Sequence, residues 1–229
     1  YEIDKSMKEH LNDAIYRQSE LKEYIEMWCH EVKTPVATSQ MIIENNLNPV
    51  NESIKEELIK IDNYVEQVLF YARSENVEKD YLIKDVKLSE LVNSVIKRNK
   101  KDLINKHVKI ELENLEIAVA SDKKWLEFIL NQIINNAIKY VDETPIIKLF
   151  AKQYKDRVEL MIKDNGIGIL ENELNRVFDK GFTGTTGRTK QKSTGIGLYL
   201  CKKLCYRLNH EIKIDSNSHG TVVTLVFPY

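Results

Sequence analysis

Seven-residue spacing in the first 45 positions constrains this chain more than any other feature. Met7, Ala14, Leu21, Trp28 and Pro35 form one row; Leu11, Gln18, Ile25, Val32 and Ser39 form a second, four residues on. Two such rows make an a/d seam along one side of a long helix, and that seam has to pack against other helices. A second run repeats the pattern more cleanly, with Ile54, Ile61 and Val68 in one row and Leu58, Val65 and Ala72 in the other. Between the two, Asn45-Asn46-Leu47-Asn48-Pro49 is rich in turn formers, and Pro49 bars continuation of the first helix. Asn51 or Ser53 can cap the second helix. The expectation is an antiparallel helical hairpin over residues 1–76. A hairpin cannot bury such a seam alone, so two copies should pair into a dimeric four-helix bundle.

His30 follows Trp28 by two residues, about 200° round a helix, so its imidazole points away from the seam. A lone histidine on a wet face is ordinary, but this one has neighbours. Glu31 can orient the ring or take its proton. Thr34 brings a hydroxyl one turn beyond Glu31, and Pro35 removes a backbone donor and should bend the helix.

A net charge of −1 carries no basic excess and argues against nucleic acid as a partner. Three cysteines, an odd number, argue against a disulfide scaffold and fit a reducing cytosol. Cys29, Cys201 and Cys205 lack the further ligands of a metal site and read as core or surface thiols. No run approaches the length of a membrane span, and no signal peptide is visible. The chain opens mid-helix, with Ile3, Met7 and Leu11 already periodic, which reads as a cut with more protein upstream.

All eight glycines lie between Gly166 and Gly220. Backbone permissiveness is therefore confined to one region, where loops must move or lie close to a ligand. Residues 77–85 are charged and read as a linker. From 86 to 229 the pattern becomes mixed. Leu88, Leu91, Val92, Val95 and Ile96 suggest a helix, Val108, Ile110 and Leu112 a strand, and Ser121 the cap of a helix running to about Tyr140. Strands follow at Pro145–Ala151 and Val158–Ile162. A glycine-bearing stretch runs from Leu170 to Thr194, a helix from Gly195 to Leu208, and strands close the chain. This order predicts an α+β layer with helices on one face of a sheet.

Four pieces of this half have separate chemical capacities. On the helix ending near Tyr140, Gln132, Asn136 and Lys139 share a face; an amide oxygen can ligate Mg²⁺ and an ammonium can neutralise phosphate. Such a stripe is otherwise a solvated helix face. Asp164, Gly166 and Gly168 end a strand, where a carboxylate can accept from an amine such as adenine N6, or simply mark a turn. Phe178 and Phe182, with Gly181, Gly184 and Gly187 round the second, suggest a lid with hydrophobic anchors or a satellite core. Ser193-Thr194-Gly195-Ile196-Gly197-Leu198 meets a helix start, whose backbone N–H groups and dipole suit an anion.

His30-Glu31-Val32-Lys33-Thr34-Pro35 resembles the phosphoacceptor box of bacterial sensor histidine kinases. The four later pieces resemble, in family order, the asparagine, first glycine, phenylalanine and second glycine boxes of their ATP-binding domain. That Bergerat-type α/β sandwich is shared with type II topoisomerases, Hsp90 and MutL. The resemblance spans the chain from His30 to Gly220-Thr221. It implies ATP and Mg²⁺, with Asn136 as metal ligand, Lys139 on phosphate and Tyr140 beside it. Asp164 would read adenine, with Gly166 and Gly168 lining the base pocket and Thr221 near the carboxylate. Phe178 and Phe182 would anchor the lid, and Thr194, Gly195, Gly197 and Leu198 would border the phosphates. Arg188 matches no motif position, but as a cation in the lid stretch it can contact phosphate. Glutamine stands at 132 where many members carry asparagine, and Ser193 where many carry glycine.

The resemblance further implies autophosphorylation of His30, oriented by Glu31, with transfer to an aspartate of a cognate response regulator. Thr34 would position water when the same helices dephosphorylate that regulator. The wording Phe-Asp-Lys-Gly-Phe-Thr-Gly and Ser-Thr-Gly-x-Gly-Leu-Tyr-Leu-Cys-Lys-Lys-Leu is most similar to small intramembrane-sensing kinases of the bacitracin-resistance type. Those pair with peptide-detoxifying ABC transporters, which implies the cytoplasmic portion of a cell-membrane protein. The alternatives are an ATPase clamp like Hsp90 and MutL, or a nucleotide-binding scaffold without catalysis.

Overall fold

The computed structural model describes residues 2–44, 49–75, 81–141, 143–185 and 194–229. The chain divides into two compact units, Tyr1–Asp80 and Tyr81–Tyr229.

In the first unit α1 (Glu2–Glu44) and α2 (Pro49–Glu75) pack against each other. Pro49 opens α2, where its missing N–H costs nothing, so Asn51 and Ser53 lie inside the helix rather than capping it. The break expected at Asn45–Asn48 lies outside the described residues. Helix α1 runs through Pro35. The row packed against α2 is Cys29, Val36 and Ile43, one position on from the Trp28 row. Cys29 is 1% exposed and its thiol donates to the Val65 carbonyl at 3.7 Å. Leu58, Val65 and Ala72 turn inward on α2, while Ile54, Ile61 and Val68 remain exposed. Trp28 is 43% exposed, and Leu21, Pro35 and Ile42 share its outer side. Ile25, Val32 and Ser39 lie half-buried between the two. The apolar stripe on α1 is thus wider than one partner helix can cover. Arg73 Nε to Glu26 Oε1 at 3.1 Å and Lys55 Nζ to Glu44 Oε1 at 2.6 Å tie the hairpin at its sides.

The second unit is a sheet covered by helices. A short strand β1 (Lys84–Lys87) precedes α3 (Leu88–Arg98) and α4 (Lys100–Asn105). Then come β2 (Lys109–Glu113), β3 (Ala118–Ser121), α5 (Lys123–Lys139), β4 (Ile146–Gln153) and β5 (Arg157–Asp164). The one-turn α6 (Glu171–Leu174), α7 (Gly197–Arg207), β6 (Glu211–Asn217) and β7 (Gly220–Pro228) complete it. Five strands form one sheet in the order β2-β4-β5-β7-β6, with β2 parallel to β4 and the other pairs antiparallel. Alternate residues of β4, β5 and β7 (Leu149, Leu160 and Leu225 among them) are buried, as are Leu91, Ile129 and Leu200 on the helices. This side of the sheet is the core.

Two expectations change here. The linker expected over 77–85 falls partly outside the described residues, and from Lys84 the chain is already strand, pairing antiparallel with β3. Only Val86 of β1 is buried, so pairing and not pattern makes it a strand. The cap of α5 is Asp122, whose Oδ1 accepts from Trp125 N–H at 2.9 Å. Ser121 ends β3 instead, and its hydroxyl lies 2.8 Å from His210 Nε2.

Candidate functional site: a glycine-lined cradle and an exposed histidine

Asp164 ends β5 half-buried, and its Oδ1 accepts from Gly166 N–H at 2.9 Å and Thr221 N–H at 3.2 Å. Both donors engage one oxygen, Oδ1. Burial raises the Asp164 pKa, and the two N–H groups only partly offset that. The fold therefore spends stability to keep a carboxylate here.

The glycines show how closely backbone meets backbone around it. A Cβ on Gly166 would lie 2.3 Å from the Tyr140 carbonyl, the same oxygen that accepts from Ile167 N–H at 3.1 Å. Gly168, at φ +69°, would meet the Asn217 carbonyl at 1.8 Å. The turn after Asp164 is thereby clamped to the end of α5 on one side and to β6 on the other.

On α5, Ile129, Ile133 and Ala137 face the core, while Asn136, Lys139 and Tyr140 are half-buried. Lys139 Nζ lies 5.3 Å from the Tyr140 ring centroid. Burial, and secondarily Lys106, lowers the Lys139 pKa. Gln132 is 9% exposed, and a Cβ on Gly197 would lie 2.8 Å from its Oε1. That contact joins α5 to the start of α7, where Leu198 is half-buried.

Helix α7 begins at Gly197, two residues later than expected. Gly195 makes the bend before it at φ +65°, with no room for a side chain against Gly181 and Phe182. Thr194 Oγ1 accepts weakly from Ile196 N–H at 3.4 Å. Phe178 and Phe182 are half-buried, with Lys202 Nζ 5.3 Å from the first ring and the Arg176 guanidinium 4.6 Å from the second. Arg188 and Ser193 lie outside the described residues. The sequence-separated pieces thus meet around the C-terminal half of α5.

Sequence reasoning passed over three residues that hold this cradle. Asn165 Oδ1 accepts from Ile146 N–H at 2.7 Å, and its amide donates to the Thr144 carbonyl at 2.8 Å. Ser216 Oγ accepts from Ile169 N–H at 2.9 Å and lies 2.9 Å from Thr221 Oγ1. Glu173 binds Thr185. An Asn-Gly pair after a strand was the one available signal, at Asn165.

In the first unit His30 and Glu31 are exposed on α1. Thr34 is exposed too, and its hydroxyl donates to the His30 carbonyl at 3.1 Å. Cys29 and not Trp28 is the inward neighbour, but the imidazole still faces water.

The groups present suit an adenine nucleotide: a half-buried carboxylate that can accept from an amine, side-chain-free backbone beside it, and a helix N-terminus for anions. Among the described residues no cluster of three or more His, Cys, Asp or Glu could hold a metal by itself.

Residues 121–229 match the family of histidine kinase-, DNA gyrase B- and HSP90-like ATPases. The chain is 38% identical over 207 residues to the sensor histidine kinase YxdK of Bacillus subtilis, covering 89% of this chain and 64% of that protein. It is 36% identical over 210 residues to the sensor protein BceS of the same organism, covering 90% and 62%. The chain thus spans a little under two thirds of the length of these curated relatives. Among solved structures, the Acinetobacter baumannii histidine kinase AdeS matches with a TM-score of 0.62 at 22% identity, covering 87% of this chain and 97% of that one. The catalytic domain of histidine kinase ThkA matches at 0.57 and 23%, covering 64% and 95%. At such identity these two establish the fold.

Proposed function

Because this chain belongs to the sensor histidine kinases and carries their ATP-binding domain, we propose that it transfers the γ-phosphoryl of ATP to His30 and thence to an aspartate of a response regulator. The observation that carries this reading, over an ATPase clamp or a scaffold, is the exposed imidazole of His30 beside an exposed Glu31. A clamp needs no such nucleophile.

The roles divide by element. Asp164 Oδ2 accepts from the adenine N6 amine, within backbone contributed by Gly166, Gly168 and Thr221. Tyr140 supports that wall, and Gln132 backs the start of α7 at Gly197. Lys139 offsets phosphate charge, and the turn from Thr194 through Leu198 presents N–H groups to phosphate. Phe178 and Phe182 anchor the loop over the site, with Arg188 as a further phosphate contact. Asn136 would hold Mg²⁺ through its carboxamide oxygen, since such an ion keeps few protein ligands and needs no acidic cluster. Bound there, Mg²⁺ would neutralise charge on the transferring group. Glu31 hydrogen-bonds one ring nitrogen and leaves the other as nucleophile. Thr34 serves regulator dephosphorylation. Alignment and charge suffice, since phosphoryl transfer asks little covalent help.

The exposed rows at Leu21, Trp28, Ile42, Ile54, Ile61 and Val68 support a homodimer in which two hairpins form a four-helix bundle. Among the described residues no helix is long and apolar enough to cross a membrane. Attachment of a longer protein to the membrane, and partnership with a peptide-detoxifying ABC transporter, follow the likeness to the bacitracin-resistance type.

The test is incubation with γ-labelled ATP and Mg²⁺, scoring acid-labile, base-stable label on the chain. His30→Gln should abolish it. Label that persists in that variant moves the phosphoacceptor elsewhere, and phosphate release without label favours the clamp.

A further inference from the structure

We infer that Glu173 is a positioning residue for the nucleotide site, its carboxylate latching the stem of the glycine-bearing loop. The inference rests on the nucleotide reading above. Glu173 stands half-buried on α6. Its Oε1 accepts from the Thr185 N–H at 2.8 Å and from the Thr185 hydroxyl at 2.6 Å. Gly184, at φ +57°, lies against the same carboxylate, where a Cβ would come within 3.0 Å of Oε2. Glu173 therefore holds two consecutive residues that lie 11 and 12 positions further along the chain.

The stem is fixed at two more points. Gly181 N–H donates to the Gly195 carbonyl at 3.0 Å, closing the loop at its neck. Arg176, one turn beyond Glu173, stacks its guanidinium over Phe182. These contacts join α6, the stem and the bend that opens α7. Glu173 supplies two of the hydrogen bonds on this stem, where the neck supplies one. A stem ordered beforehand spares bound ATP the entropy of ordering it. The effect of the latch therefore falls on ATP binding and not on the chemical step.

The experiment compares the parent chain with Glu173→Ala and Glu173→Gln. Glutamine keeps an oxygen that can accept both Thr185 donors; alanine does not. Without nucleotide, exchange of the Thr185 amide hydrogen should quicken at least tenfold in Glu173→Ala and stay near parental in Glu173→Gln. The KM for ATP in His30 labelling should rise about tenfold in Glu173→Ala with kcat within about twofold, and Glu173→Gln should restore it. If Glu173→Ala does not fold, Thr185→Ala, which removes the hydroxyl donor and keeps the N–H donor to Glu173, should raise KM about threefold. Unchanged Thr185 exchange in Glu173→Ala overturns the latch, and faster exchange with an unchanged KM overturns its role in positioning. A parent chain that binds no ATP sinks the nucleotide reading and this role with it, whereas the exchange result reports on the latch alone.

Discussion

Replacing Asp164 by asparagine separates what this residue does for the fold from what it does for the ligand. Asparagine keeps one oxygen, which can still accept from Gly166 and Thr221 N–H. The other, assigned to adenine under the proposed function, becomes an NH₂ donor facing the adenine amine, itself a donor. The variant loses a hydrogen bond to a charged acceptor and gains two donors without partners, together about 2–4 kcal/mol, or roughly 30- to 700-fold in Kd for ATP. The fold should gain instead. Burial raises the pKa of Asp164, so folding favours the protonated form. Stability from this group is full at low pH and is lost as pH rises through the folded pKa, so at neutral pH the carboxylate is a cost that asparagine removes. The variant should melt at or above the parent temperature. Asp164→Ala is the control: it strands both N–H donors and should destabilise by about 1–3 kcal/mol. Calorimetry with ATP and ITP completes the assay. ITP has a carbonyl in place of the N6 amine, so the parental preference for ATP should shrink at least tenfold in the asparagine variant. Parental ATP affinity in Asp164→Asn, or a melting loss as large as that of Asp164→Ala, would refute the assignment.

Gly220, at φ +130° with a Cβ position 2.1 Å from the Asp164 carbonyl, should not tolerate alanine; a loss of about 3 kcal/mol or more is expected in the urea midpoint. His210 packs edge-on to Phe227, and burial pulls its pKa down to about 4, so its contribution holds above about pH 6.5 and is lost as pH falls toward 4. That loss should reach roughly 2–3 kcal/mol, and a His210→Leu variant whose melting falls equally over that range would contradict it. Asn136→Ala should abolish His30 labelling at saturating Mg²⁺; normal turnover would move the metal ligand to another residue. For Thr34→Ala, autophosphorylation should persist while regulator dephosphorylation weakens, and equal loss of both would merge the two roles.

Local order along this chain announces most of its elements. Seven-residue spacing yields two helices and their apolar sides, because a helix returns a side chain to the same face at that interval whatever it meets. The glycines mark tight approaches for a similarly local reason: at Gly166 and Gly168 a single Cβ would collide with backbone. Which row of α1 meets α2 is another matter. The Trp28 row and the Cys29 row are both apolar, and only the second is covered within the hairpin. Strand β1 exists because β3 lies beside it, and its charged residues carry no period that would announce it. The ties at Asn99 to Asn131, Ile169 to Ser216 and Glu173 to Thr185 join residues 32, 47 and 12 positions apart. Such partners have no spacing rule, since they are chosen by the path of the folded chain. Tertiary structure alone brought the Gly166 and Thr221 N–H groups, 55 residues apart, onto one oxygen of Asp164.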